Sequence, residues 1–318
     1  DSAIDEVDLG LIQALLEDGR MSFTAMGQRV GLAGDAVRER YRRLVEAEIV
    51  RVAGVPDPTV LGYNIAAAVG IRVAGPVGPV AQALSASPGV SLVVTTIGSF
   101  DIMVELMARD ELHLTSLIDE HLRSVPAVIS CSTLLYLDVL KYRPALMAGD
   151  VGRLMTADTP APIVTDEDRP LLLALQEDGR ASYTDLADRL GMNYQQARRR
   201  TMALIASGAV RITTTVNRVA VGLGTMCSLF VRVDGRAFDD VVAALSDLPE
   251  AQVILEVLGD ADLIVEAVTR DRSHLRSFIT AVRHIDGVVE CKAFFYASIQ
   301  HLPIQWGADL PMPARSHR

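Results

Sequence analysis

The chain has 318 residues, half of them apolar, with 40 acidic against 30 basic side chains and a formal net charge of −10. Such a composition supports two to four compact domains with a sizeable core and argues against wholesale disorder. With no run of about 18 uncharged apolar residues and no basic-then-apolar leader, the expectation is a cytoplasmic protein with no membrane partner.

In chain order, Val7, Leu9, Leu11, Ile12, Leu15 and Leu16 form a helical apolar stripe. Glu17-Asp18-Gly19-Arg20 stops it, with Gly19 read as a left-handed cap. A short helix is predicted over 24–30, with Ser22 as N-cap and Gly31 at its end, and a third over 35–46. Three helices with a glycine-bearing turn between the second and third follow the helix-turn-helix plan. After Gly62 the period changes: strands are predicted at 65–73, 90–97, 102–108 and 128–139. Helices are predicted at 77–85 and after Asp110, the latter on Leu112, Leu114, Leu117, Ile118 and Leu122. The order βαββαβ is ferredoxin-like, an antiparallel sheet with two helices on one face. Its other face must be covered, so face-to-face pairing of two such domains is expected.

The whole pattern then recurs. Ala14-Leu15-Leu16-Glu17-Asp18-Gly19-Arg20 returns as Ala174-Leu175-Gln176-Glu177-Asp178-Gly179-Arg180, an offset of 160 residues. At that offset Arg38, Arg40 and Leu44 meet Arg198, Arg200 and Leu204, and Cys131 and Tyr136 meet Cys291 and Tyr296. Gly98 and Asp101 meet Gly259 and Asp262 at 161. The second unit predicts a recognition helix at 193–206 and the elements 226–233, 238–245, 253–258, 263–268, 274–283 and 288–299. Ser182 with Asp185 approximates a capping box there. The fold class is therefore α+β, two copies of a winged helix-turn-helix plus a ferredoxin-like βαββαβ domain. The boundaries are 1–53 and 54–143, a linker at 144–164, then 165–213 and 214–302, with a loose tail at 303–318.

The third helix of each head carries the chemistry. At about 100° per residue, Val37, Tyr41 and Leu44 face inward, while Asp35, Arg38, Glu39 and Arg42 face outward. In the second copy Ala197, Thr201 and Leu204 face inward, and Gln195, Arg198 and Arg199 outward. Arginine bonds guanine and phosphate, and glutamine bonds adenine, so these faces suit a major groove. The candidate DNA contacts are Arg38, Arg40, Arg42, Arg43, Gln195, Arg198, Arg199 and Arg200. Arg40 and Arg200 sit beside the buried face and fit a structural role equally well. A net negative charge does not oppose this reading, because DNA binding needs only a local basic face. Three cysteines without CxxC spacing argue against a disulfide frame or a zinc site, and no metal is expected. No nucleophile–His–acid constellation, Walker loop or GxGxxG is found, so no catalytic residue is named.

Each unit resembles the leucine-responsive/asparagine regulator (Lrp/AsnC) family of transcription factors, over about residues 4–142 and 164–302. The residues that carry this are Asp8…Leu15…Asp18-Gly19-Arg20, Gly31-Leu32, Arg40…Leu44, Ile49-Val50, Pro58…Leu61-Gly62, Pro88-Gly89-Val90, Gly98…Asp101 and Val128…Thr133. The resemblance implies an N-terminal DNA-binding domain, a RAM/ACT-like C-terminal domain answering to an amino-acid-type effector, and dimers that assemble further. It places the effector at the Gly…Asp turn: Gly98, Phe100, Asp101 and Thr133 in one pocket, Gly259 and Asp262 in a second, where Ala293 replaces the threonine. No other cofactor is implied. On the residues alone, these segments read first as plain turns, in which Gly supplies φ > 0 and Asp is a good turn former. The recognition helix departs at Ala33, which lacks the usual capping side chain, whereas Asn193 keeps one. Two unlike heads in one chain are expected to prefer an operator with dissimilar half-sites. Two other readings stand beside this: a sirohaem-decarboxylase-like tetrapyrrole enzyme on the same fold, and an amino-acid sensor that no longer binds DNA. Of the six histidines only His113 and His274 recur, where a solvated helix start is expected.

Overall fold

The computed structural model describes residues 4–142, 164–216 and 224–301; the predicted linker before Val164 and the predicted tail lie outside them. In the first head, α1 (Glu6–Glu17) starts on a reciprocal capping box between Asp5 and Asp8. Helix α2 (Phe23–Val30) is capped by Ser22 and ends on Gly31, whose φ of +73° needs a residue without Cβ strain. Helix α3 (Gly34–Glu46) follows, and its N-cap, Ala33, makes no capping hydrogen bond. Leu11, Ile12, Leu15, Met26, Val37 and Leu44 close the core between them. The apolar residues Leu9 and Leu16 remain exposed, outside the buried stripe.

Strand β1 (Val50–Pro56) leaves this head. Strands β2 (Ile65–Val73), β3 (Val90–Ile97), β4 (Ile102–Ala108) and β5 (Val128–Tyr142) follow, with α4 (Val77–Ser85) and α5 (Glu111–Leu117) between them. Helix α5 continues as one π-helical turn, Ile118–Leu122. Leu112, read as part of its apolar face, is 83% exposed.

The second unit repeats the plan. Helices α6 (Arg169–Glu177), α7 (Tyr183–Leu190) and α8 (Tyr194–Ala206) form the head, and β6 (Val210–Val216) leaves it. Strand β7 (Thr225–Val233), α9 (Phe238–Asp247), β8 (Ala251–Leu258), β9 (Leu263–Thr269), α10 (Arg272–Arg283) and β10 (Val288–His301) complete the unit.

Two features of assembly go beyond the sequence expectations. First, β1 and β6, neither predicted as a strand, pair antiparallel from Val50↔Val216 to Pro56↔Val210 and tie the two heads together. Gly19 serves this seam rather than a left-handed cap: α1 is closed by extended Asp18, and a Cβ on Gly19 would meet Val52 and Ile212 at 3.0 Å. A Cβ on Gly179 would likewise stand 2.8 Å from the carbonyl carbon of Ala53.

Second, the two ferredoxin-like sheets do more than stack. Each has the order β3-β4-β2-β5 or β8-β9-β7-β10, and the strands β5–β8 and β10–β3 join them into one closed barrel. Closure removes the free edges that an open sheet would leave. Alternation along each strand sorts the side chains. Val69, Ile71, Ile102, Val104 and Leu106 meet α4 and α5 outside, while Ala68, Met103, Met107 and Leu134 point into the barrel with Phe230 and Phe294 from the second unit. The expected covering partner is thus the other half of the same chain.

Candidate DNA interface and effector turns

Helices α3 and α8 present their outer faces to solvent, but the faces differ. On α3, Arg42 Nη2 lies 2.5 Å from Glu39 Oε1 and its Nη1 2.6 Å from Glu46 Oε1. Those two carboxylates hold its pKa above the usual guanidinium value, the Glu39 hydrogen bond most of all. Arg40 binds Asp5 at 2.7 Å and the fully buried Asp8 at 2.9 Å, and Arg43 binds the other oxygen of Asp8 at 2.7 Å. A buried carboxylate needs such partners, so both arginines hold α3 to α1. Arg200 does the same on α8, bound to Asp168 at 2.9 Å and Glu167 at 3.0 Å. Arg40, Arg43 and Arg200, named as DNA contacts from sequence, are thus ion-paired within their own heads, and Arg42 within its own helix, while all four stay partly exposed. Arg38 remains exposed, its guanidinium 5.4 Å from the centre of the Phe23 ring. Gln195, Arg198 and Arg199 are all exposed, and among the described residues neither Arg198 nor Arg199 is ion-paired. Asn193 and Gln196 close a capping box on α8.

Sequence reasoning missed the contact between the heads. Arg20 donates to the carbonyls of Gly179 and Ala181 at 2.6 and 2.9 Å, and Arg180 donates to those of Gly19 and Met21 at 2.5 and 2.8 Å. Arg180 also lies over the rings of Phe23 and Tyr41, and Arg20 over Tyr183. Burial lowers the pKa of Arg180 below its ordinary value. The signal was present in the duplicated Glu-Asp-Gly-Arg string, which reads as a helix stop and is also a reciprocal clasp.

The Gly…Asp turns fall where β3 meets β4 and β8 meets β9, but the sequence-based grouping into pockets does not hold. Gly98 lies against Phe294 and Ala293 of the second unit, 2.8 Å and 3.1 Å from where its Cβ would stand, and Gly259 lies against Leu134 and the Thr133 carbonyl at 2.6 and 2.8 Å. The pairing is crossed because β10 and β5 close the barrel beside the other unit's turn. Asp101 Oδ2 accepts the Val73 N–H at 2.9 Å and Asp262 Oδ2 that of Val233 at 2.8 Å, so each carboxylate braces its own turn. Phe100 turns inward, stacked on Phe294 with centroids 5.5 Å apart and packed on Gly70.

The barrel interior holds a polar cluster that sequence reading also missed. Tyr136 Oη donates to Glu105 at 3.2 Å and Tyr296 Oη to Glu266 at 2.7 Å. Burial pushes Glu266 up to about 7 against the opposing Tyr296 hydrogen bond, and raises Glu105 as well. Both tyrosines are pushed well above the ordinary phenol by the same burial. Among the described residues no group of three or more His, Cys, Asp or Glu is placed to hold a metal ion, and no helix is long and apolar enough to cross a membrane.

The AsnC-type helix-turn-helix domain matches at residues 4–45 and again at 165–205. A PF0864 C-terminal dimeric α+β barrel domain matches 64–147, and the Lrp/AsnC ligand-binding domain matches 226–299. The chain belongs to the Lrp/AsnC family. Its relatives include the HTH-type transcriptional regulator FL11 of Pyrococcus furiosus, 31% identical over 140 residues, which span 43% of this chain and 92% of FL11. The HTH-type transcriptional regulator Rv2324 of Mycobacterium tuberculosis is 28% identical over 120 residues, 37% of this chain and 81% of its own. Each such Lrp/AsnC relative thus corresponds to about one unit of the tandem. In fold, the siroheme decarboxylase NirDL superposes along nearly the whole length, with a TM-score of 0.61, 16% identity, and coverage of 93% of this chain and 92% of that one. In this Lrp/AsnC chain the repeated histidines stand half-buried at their helix starts, each bonded to the backbone before it. His113 Nδ1 accepts the Arg109 N–H, while His274 Nδ1 accepts that of Arg270 and its Nε2 meets Glu250 at 2.6 Å.

Proposed function

We propose that this chain works as a self-contained two-headed transcriptional regulator: a sequence-specific DNA-binding protein whose response is set by an amino-acid-type metabolite at the crossed turns around Gly98 and Gly259. The observation that carries it is the pair of AsnC-type heads joined through β1–β6 and the Arg20/Arg180 clasp, with α3 and α8 both exposed. A helix-turn-helix dimer places two such helices in successive major grooves. Here one chain supplies both, and because the faces differ, dissimilar half-sites follow. Further assembly of two or four chains in the cytoplasm belongs to the same reading. The test is selection of binding sites from a random duplex pool, followed by a thermal-shift screen of amino acids and their catabolites. Enrichment of a motif and a ligand-dependent change in its affinity are expected; a pool that stays random overturns the reading.

The whole-length likeness to siroheme decarboxylase NirDL favours a second reading, an enzyme acting on a tetrapyrrole. The chemistry weighs against it. A polyacidic macrocycle calls for cationic partners, whereas the polar groups named in the barrel interior are the Glu105 and Glu266 carboxyls with their tyrosines. His113 and His274 are engaged at helix starts. Titration with an iron tetrapyrrole should leave its absorbance spectrum unchanged; a shift that saturates at one equivalent would favour the enzyme.

A further inference from the structure

We propose that the two heads contribute unequally to DNA recognition: α8 supplies the base-reading contacts and most of the affinity, while α3 settles on a degenerate half-site. The proposal rests on the DNA-binding reading above and assigns the residues that divide it.

Residues near the start of a recognition helix reach base edges, so equivalent positions can be compared directly. Asp35 stands where Gln195 does, Arg38 where Arg198 does, Glu39 where Arg199 does, and Arg42 where Met202 does. Helix α3 carries four arginines and three acidic residues, whereas α8 carries three arginines and no acid. Of the α3 arginines, Arg40 and Arg43 are tied to Asp8 and Arg42 to Glu39 and Glu46, leaving Arg38 alone, held over the Phe23 ring. On α8, among the described residues, Arg200 alone is ion-paired. Arg198 and Arg199 therefore meet DNA with their five-donor forks unspent, and Gln195 adds an adenine-type donor–acceptor pair. Asp35 and Glu39 instead turn carboxylates toward a polyanion, which repels them. The caps reinforce the difference. The Asn193–Gln196 box fixes the first turn of α8, and α3 starts at Ala33 without one.

The experiment uses the intact chain, an operator selected from a random pool, and fluorescence anisotropy over a range of salt concentrations. R198A/R199A should weaken binding about 100-fold, from the loss of two bidentate contacts, and should flatten the salt dependence by about one to two units of slope. R38A should cost less than about fivefold, the scale of a single exposed phosphate contact. E39Q/E46Q, at positions 66% and 59% exposed, releases Arg42 and should raise affinity and sharpen the weaker half-site. Circular dichroism of each variant separates lost contact from lost fold. Equal losses from R38A and R198A/R199A, no gain from E39Q/E46Q, or two equally informative half-sites would overturn the division while leaving DNA binding intact. If the unaltered chain enriches no sequence, the DNA-binding reading itself falls.

Discussion

The barrel and the heads have diverged under different constraints. Inside the barrel, differences between the two units compensate one another. Gly70 accommodates the Phe100 ring in the first unit, and at the equivalent positions of the second Phe230 stands beside the small Ala261. The Glu105–Tyr136 pair, in contrast, is kept unchanged as Glu266–Tyr296. On the heads, Asp35 against Gln195 and Glu39 against Arg199 have no such counterweight. A packed interior couples every change to a neighbour, whereas an exposed helix face lets each copy drift alone.

The largest effect is expected from disturbing one compensated pair. Phe100→Ala should destabilise the fold by about 3 kcal/mol, and Gly70→Phe, which drives one ring into another, by about as much. The double variant copies the second unit and should recover most of the loss in urea unfolding; strictly additive losses would show that the exchange is not compensatory. Next, Arg180→Ala removes hydrogen bonds to the Gly19 and Met21 carbonyls and the contact with Phe23 and Tyr41. A loss of about 2 kcal/mol is expected, followed by urea unfolding, because both accepting carbonyls lie in a partly buried seam.

The interior carboxyls give a pH dependence of comparable or smaller size. Folding raises Glu266 from the ordinary carboxyl range to about 7, so the folded state favours the protonated group. Its contribution is neutral at acid pH and turns into a penalty as pH climbs from about 4.5 through about 7. Comparing unfolding at pH 5 and pH 8, Glu266→Gln should narrow the wild-type difference by about 1–2 kcal/mol; an unchanged difference would place the titration elsewhere. Smallest of all, Ala33→Ser gives α3 the cap that α8 already has. It should add about 0.5–1 kcal/mol to stability, seen as a higher melting temperature.

Most of the fold was legible because each unit alternates cleanly between periods of 3.6 and 2, and because duplication states every element twice. Strands β1 and β6 were not. Val210–Val216 is rich in β-branched residues, but its partner Val50–Pro56 lies 160 residues away, and no local pattern states that pairing. The DNA faces were legible as helix faces, yet the availability of each arginine was not. Whether Arg43 reaches solvent or Asp8 depends on a residue 35 positions away. The effector turns were found by their Gly…Asp spacing, but the crossed neighbours of Gly98 and Gly259 follow from barrel closure, which no local pattern encodes. Gly98 illustrates the point: its small size matters because a Cβ there would stand 2.8 Å from the Phe294 ring, not because the turn requires positive φ.

The seams β5–β8 and β10–β3 also change how the protein responds to dilution. Partners on separate chains must find each other, and their pairing fades as copies become scarce. Halves joined covalently meet at a local concentration fixed by the connecting segment rather than by abundance. A cell holding only a handful of these molecules would still hold that many complete, two-headed units.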